Sequence, residues 1–321
     1  MSCTLRPVRW TERVATKLAR RPRRGDRVLV AGWFSWPAAA ATAGDLMARD
    51  VACEWLERAG RDYDVANASQ FGSGVDWREV DPADYDDLVF VCGPVGPAYS
   101  ALEQLLRRFP RSRHIGLDLT MIAPVSEWNP FDVLFERDSE RGANPDLALV
   151  AAEPRLPVIG VVLVEPYAPE FPERDRQEAA RSAVESLLAS VPAARVPIDT
   201  RLDVNQTQLS TPGEVESLIA RMDAVVTTRL HGLVLALKSG VPALAIDPVL
   251  GGSKIKRQAE VLGWPAIRAA DRLELDDLKA TLEFCLSEEA RLLAHRCAEQ
   301  GATRLESLRD EFVAALVERS G

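Results

Sequence analysis

The sequence predicts an α/β protein of two domains, each built on a parallel sheet. Short apolar runs alternate with helical patterns along most of the chain, as they do when helices cover the faces of parallel strands. The series runs twice, on either side of "ANPDLALVAAEPRLP", which reads as a linker. The length, 321 residues, accommodates two such domains. The expected divisions are a basic extension over 1–26, a first α/β domain over 27–150, and a second over 151–321 with helices at its end.

In the first series, "RVLVAGWF" from Arg27 is a buried strand. A helix follows, with Leu46, Met47, Val51, Trp55 and Leu56 near helical spacing and Gly60 as its stop. "DYDVANA" and "DDLVFVCGPVGP" are the next strands, the latter running into a glycine-proline turn. "YSALEQLLRRFP" is a helix and "RHIGLDLTMI" a strand. The second series opens with "RLPVIGVVLVEPY", the most apolar strand of the chain. A charged helix from about Pro172 to Ser190 and the strand "AARVPIDTR" come next. Thr211, Pro212 and Glu214 mark a helix start. "AVVTT" is a strand, "LHGLVLALKS" a helix closed by Gly240, and "VPALAID" a strand. A glycine turn then feeds "SKIKRQAEVLG", and a helical tail spans about 274–320, expected to fold back on the first domain.

Composition narrows the function. The net charge of −9 excludes a nucleic-acid footprint for the chain as a whole. The first 27 residues nevertheless carry nine Arg or Lys against Glu12 and Asp26. That stretch reads as a solvated arm, a self-docked amphipathic helix, or a patch for anionic lipid. Five scattered cysteines show no disulfide or metal spacing and suggest reduced thiols in the cytoplasm. No apolar run is long enough for a membrane span.

The stretch "VVTTRLHGLVLALKSGVPALAID" places Arg229 and His231 where a strand gives way to a helix. Open parallel sheets bind ligands beyond the carboxyl ends of their strands. The free N–H groups and dipole of a helix start favour an anion there. Arg229 offers a planar fork for a carboxylate or phosphate, and His231 a proton near neutral pH. Gly232 leaves room for a ligand close to the backbone. The competing reading is structural: Arg229 in an interdomain ion pair and His231 as a satisfied structural histidine.

This block, from Asp223 through Arg229-Leu230-His231, Gly240-Val241-Pro242 and Lys254/Lys256 to Leu262-Gly263, resembles the C-terminal signature of the polysaccharide pyruvyl transferase family. The N-terminal match is thinner. "ATAGDLMARD" keeps Gly44-Asp45 of a "GNxGDE"-like loop but lacks its asparagine and final acid. "VCGPVGP" stands where a glycine triplet is usual, and "FERDSERG" keeps Arg137-Asp138 of an "RDxxS"-like element.

The resemblance implies a glycosyltransferase-B-like fold, two Rossmann-like domains facing a cleft. It implies no cofactor, with phosphoenolpyruvate as donor substrate and a sugar or glycan as acceptor. Arg229 and His231 are then the catalytic candidates, and Gly44, Asp45, Asp247, Lys254 and Lys256 the substrate-binding ones. Each of the latter has a plainer role: Asp45 as a helix cap, Asp247 as a turn residue before Pro248, Lys254, Lys256 and Arg257 as a solvated face. Arg137-Asp138 reads first as a surface ion pair, His114 and His295 as incidental, and Asp276-Asp277 as helix surface. The alternative activities are a nucleotide-sugar glycosyltransferase and a family member without catalysis.

Overall fold

A computed structural model describes residues 27–164 and 172–317. The basic extension, with its lipid-contact reading, lies outside the described residues, as does the end of the "VVLVEPY" segment. The chain divides into two compact units between Glu153 and Pro154.

In the first unit the strands are β1 (Arg27–Gly32), β2 (Asp62–Val65), β3 (Tyr85–Val95), β4 (Arg113–Met121), β5 (Val133–Ser139) and β6 (Gly142–Ala143). They lie in the order β2-β1-β3-β4-β5-β6, parallel except for β6. Helix α1 (Ala43–Arg58) joins β1 to β2, and α2 (Ser100–Arg108) joins β3 to β4. Strand alternation sorts the core. Leu29, Leu88, Phe90 and Leu119 face α2 with Leu102, Leu105 and Phe109, whereas Val28, Val30, Val89 and Val91 face Ala48 and Ala52 of α1. Gly60, at φ +69°, follows α1 in the left-handed conformation that ends many helices.

The second unit holds β7 (Val158–Val162), β8 (Ala194–Pro197), β9 (Ala224–Thr227), β10 (Ala243–Asp247) and β11 (Ile267–Ala269), all parallel, in the order β11-β10-β9-β7-β8. Its helices are α3 (Gln177–Ala189), α4 (Pro212–Ile219), α5 (Leu230–Lys238), α6 (Lys254–Leu262), α7 (Leu275–Cys285) and α8 (Glu288–Val317). Counting strands from the start of each unit, both parallel sheets run 2-1-3-4-5. This doubly wound order has its switch point between the first and third strands: β1/β3 in one unit and β7/β9 in the other. The chain has no internal sequence repeat, yet its two halves repeat one topology.

Two features depart from the sequence reading. Strands β5 and β11 were not expected. The C-terminal helix is two helices, broken at Leu286 and Ser287. Helix α8 packs on α5, α6 and α7 of its own unit through Ala290, Ala294 and Cys297, and every residue from 302 to 317 is exposed. The four described cysteines are unpaired, and no described helix is long and apolar enough to cross a membrane.

Candidate functional site

The carboxyl ends of β7, β8 and β9 converge on Arg229. Thr227, fully buried, donates its hydroxyl to the Val162 carbonyl at 2.9 Å and accepts from the Arg229 N–H at 2.9 Å. Thr228 Oγ1 accepts from the Val164 N–H at 2.9 Å. These bonds lock the chain leaving β9 onto the chain leaving β7, at the switch point itself. The Arg229 Nε donates to the Leu163 carbonyl at 2.7 Å, and its Nη2 lies 3.6 Å from Asp199 Oδ1. Only 15% of the Arg229 side chain is exposed.

Asp199, which follows β8, is a residue the sequence reading missed. It is buried, and its carboxylate accepts from the N–H groups of Arg201 (3.0 Å) and Gln206 (3.1 Å), shaping the loop beside Arg229. The guanidinium is thus oriented on one side by a carbonyl and a carboxylate. That is an ion pair within one domain, where the sequence reading had set an interdomain pair against a free anion grip.

His231 stands in the first turn of α5, exposed and without a hydrogen bond among the described residues. It is not a satisfied structural histidine. No side chain caps α5, so its leading N–H groups point outward beside Arg229 and His231. Gly232 serves a different end from the one expected of it. A Cβ there would come within 2.1 Å of Thr227 Oγ1 and 3.0 Å of Val162 Cγ1, so glycine is needed for α5 to approach the sheet rather than for a ligand to approach the backbone.

Asp247, placed by the sequence beside an acceptor sugar, is fully buried and committed to its own loop. Its carboxylate accepts from the N–H groups of Val249 (3.2 Å), Ser253 (2.6 Å) and Lys256 (3.0 Å) and from the Ser253 hydroxyl (3.0 Å). It caps α6 and holds the Gly251-Gly252 turn, leaving no lone pair aimed outward. Lys254 and Lys256 are exposed at that helix start, with the Lys256 stem lying over Gly252. Asp247 already takes the Lys256 N–H at the start of α6, and Lys254, Lys256 and Arg257 are all exposed there.

In the first unit, Gly44 and Asp45 lie at the start of α1, beside the β1/β3 switch point. Asp45 forms a reciprocal cap with Thr42: its Oδ2 accepts from the Thr42 N–H (2.6 Å) and hydroxyl (2.8 Å), and Thr42 Oγ1 accepts from the Asp45 N–H (3.4 Å). This is the helix-cap reading of Asp45. A methyl group at Gly44 would meet only Thr42 Oγ1, at 3.6 Å, so packing does not demand glycine there.

Deeper at the same end of this sheet, Cys92 and Asp118 occupy adjacent strands in left-handed conformations, with φ of +62° and +58°. The β3–β4 ladder skips this pair, running from Val91–Leu117 to Gly93–Leu119, and β4 shifts register against β5 at the same level. Arg137 links the cluster: its Nη1 donates to Asp146 Oδ2 at 2.6 Å and lies 3.8 Å from Cys92 Sγ, while Nε donates to Asp138 at 3.2 Å. Arg137-Asp138 is therefore part of a half-buried network rather than a plain surface pair. Burial, then the neighbouring Asp45 and Asp118 carboxylates, pushes the Cys92 thiol up to about 12, which keeps it a thiol at neutral pH. Burial also raises Asp118 above the usual carboxylate range.

The remaining sequence candidates are structural. His114 hydrogen-bonds the Phe109 carbonyl at 2.9 Å, and the His295 ring lies against Gly240. Asp277 pairs with Arg268, which lowers its carboxyl, in the first turn of α7.

A raised carboxyl in a left-handed backbone gives a stability prediction. An acid whose folded pKa exceeds its unfolded one holds its proton longer in the native state, so stability falls as pH rises through that interval. Asp118→Asn removes the charge, keeps an acceptor for the Leu147 N–H, and suits the left-handed region better. Its melting temperature should exceed the parent's at pH 8, and the gap should close toward pH 4, as read by calorimetry.

Three solved structures are similar over nearly the whole chain, each at low TM-score. The calicheamicin glycosyltransferase shares 15% identity, with 92% of this chain and 99% of that one covered and a TM-score of 0.35. The spinosyn forosaminyltransferase shares 14%, covering 89% and 99%, at 0.32. The glycotransferase of kitacinnamycin shares 14%, covering 93% and 99%, at 0.33. No curated protein sequence matches the chain. Residues 145–248 match the model of the polysaccharide pyruvyl transferase family, and the Arg229-Leu230-His231 corner lies inside that match.

Proposed function

We propose that the protein is a pyruvyl transferase that moves the enolpyruvyl carbons of phosphoenolpyruvate onto two hydroxyls of a sugar, forming a cyclic ketal and releasing phosphate. The observation that carries this reading is the corner after β9. A planar cation, a proton-carrying imidazole and an uncapped helix start share the switch point of a sheet whose sequence matches the family. The donor has a carboxylate and a phosphate, and it reacts through an electron-poor carbon. Protonation at its methylene carbon generates oxocarbenium character at C2. One hydroxyl adds there, the C2–O bond to phosphate breaks, and the second hydroxyl closes the ketal. Two hydroxyl protons are released; one restores the acid and the other leaves with the phosphate.

In this scheme Arg229 holds one anionic group of the donor with the guanidinium edge turned from Leu163 and Asp199. The helix start adds N–H groups and dipole, and such preorganised donors supply much of the rate in charge-developing reactions. His231, exposed and unbonded, is free to turn toward the substrate and carry the proton to the leaving phosphate or from an attacking hydroxyl. Lys254 and Lys256 supply further positive charge along the same edge of the sheet. Acceptor binding falls to the first unit, at the β1/β3 end where Gly44 leaves the backbone open.

Thermal shift with phosphoenolpyruvate and uridine diphosphate, followed by phosphate release across a panel of glycans, tests the reading. A ligand that binds only the native state raises the melting temperature with the logarithm of its concentration. Stabilisation by phosphoenolpyruvate and acceptor-dependent phosphate release are expected. Stabilisation by uridine diphosphate alone would favour nucleotide-sugar transfer, and a response to neither would favour a member without catalysis.

A further inference from the structure

Aromatic side chains gather at the carboxyl ends of β1 and β3, the switch point of the first sheet, where open parallel sheets bind ligands. Trp33 and Trp36 follow β1, and Tyr99 follows β3. The Trp33 ring centroid lies 5.7 Å from that of Trp36 and 5.1 Å from that of Tyr99, with the rings inclined by 44° and 51°. Trp33 is held firmly. Its Nε1 donates to the Pro94 carbonyl at 3.2 Å, and it meets Phe90 edge to face at 5.6 Å and 85°. A Cβ at Gly93 would come within 2.4 Å of Trp33 Cδ1, so the end of β3 is shaped around the indole.

The fold leaves these rings unfinished. All three residues are only half-buried, and Pro37, Ala38 and Ala40 after Trp36, like Pro97 and Ala98 before Tyr99, are small and exposed. Two polar tips are unused. The Tyr99 hydroxyl and the Trp36 N–H make no hydrogen bond among the described residues. By contrast, Tyr63 and Tyr85 each donate to a carboxylate, and Trp264 donates to a carbonyl. Residues 33–44 and 88–102 contain no Asp, Glu, Lys or Arg, and Asp45 beside them is committed to Thr42.

This combination selects a ligand. The face of an aromatic ring is electronegative and attracts the weakly positive C–H hydrogens on the face of a sugar ring. The hydroxyls around that ring need hydrogen-bonding groups, which an indole donor and a phenol that donates and accepts supply. A carboxylate or phosphate would find no cation in either segment. We propose that Trp33, Trp36 and Tyr99 form a stacking platform for a neutral pyranose ring. Assigning that ring to the acceptor rests on the pyruvyl-transfer reading; the platform itself does not. The acceptor is then an uncharged sugar recognised by its ring face, and recognition of charge is left to the donor corner at Arg229.

Saturation-transfer difference NMR on the full chain tests this, with methyl β-galactopyranoside, methyl β-glucopyranoside and methyl α-mannopyranoside as probes. Saturation should reach the ring C–H protons of at least one probe. Trp36→Leu combined with Tyr99→Leu keeps apolar bulk and removes two ring faces with both polar tips. It should weaken binding of that probe by about tenfold, with the parent's far-ultraviolet circular dichroism spectrum. Tyr99→Phe keeps the ring and its packing, should weaken binding about threefold, and decides the matter if the double change lowers stability. No saturation of any probe, undiminished binding in the variants, or saturation of uridine without any sugar would each overturn the proposal. The thermal shift with phosphoenolpyruvate separates the two readings. Sugar binding that the variants weaken, in a protein that phosphoenolpyruvate does not stabilise, supports the platform and removes the donor. Stabilisation by phosphoenolpyruvate with undiminished sugar binding in the variants removes the platform and leaves the donor.

Discussion

His231→Asn should fold with the parent's melting temperature and lose turnover by about 10²–10⁴, while donor binding largely survives. The imidazole is exposed and unbonded, so its removal disturbs nothing that holds the fold. Asparagine keeps a hydrogen-bonding group but cannot transfer a proton. Phosphate release under saturating donor, set beside a calorimetric melt, reads both quantities. Parent-rate turnover would remove His231 from the chemistry. Arg229 behaves differently. Its side chain is mostly buried between Leu163 and Asp199, so Arg229→Lys should weaken donor use and also lower the melting temperature. Lysine cannot hold the carbonyl and still present a second edge to an anion. The burial of Arg229 thus adds a stability cost to the functional one, which the exposed His231 does not share.

Asp247→Ala should be the most destabilising single change in the second unit, by about 3–5 kcal/mol. It leaves the N–H groups of Val249, Ser253 and Lys256 without their acceptor in a buried turn, and each such loss costs about 1–3 kcal/mol, offset in part by water. Asp247→Asn should cost less, because one carbonyl oxygen still reaches part of the turn. Denaturant melts of both variants check the order. Were Asp247 instead an acceptor-binding group, Asp247→Ala would keep the parent's stability and lose only affinity for the sugar. Four hydrogen bonds to one carboxylate argue for the first outcome.

These residues also mark how far the sequence was legible. The strands β1, β3, β7, β9 and β10 announce themselves because strands buried on both faces read as continuous apolar runs. Strand β5 does not: "VLFERDS" is half-buried along almost its whole length, one of its faces is open, and its Arg137 and Asp138 serve a polar network. Strand β11 has three residues, too few for any periodicity. The break between α7 and α8 has neither glycine nor proline to signal it. At the site, Arg229 and His231 were visible because a cation and an imidazole at a strand-to-helix junction are unusual. Asp199 was not, since its partner lies 30 positions away and only the parallel pairing of β7 with β8 and β9 unites them. Asp247 was ambiguous for the opposite reason. An aspartate before proline suits a turn and a ligand equally, and only the hydrogen-bond count separates the two.

The self-contained strand sets have a consequence for biosynthesis. Every strand of the first sheet comes from residues 27–143, and every strand of the second from 158–269. No strand of either sheet waits for a segment from the other half of the chain. The first sheet can therefore close on the ribosome while the second is still being translated, as N-terminal domains generally do. While the second unit is translated, the half-buried face of β4 and β5, with Phe135 exposed beside it, stays open, and a chaperone would meet the nascent chain there.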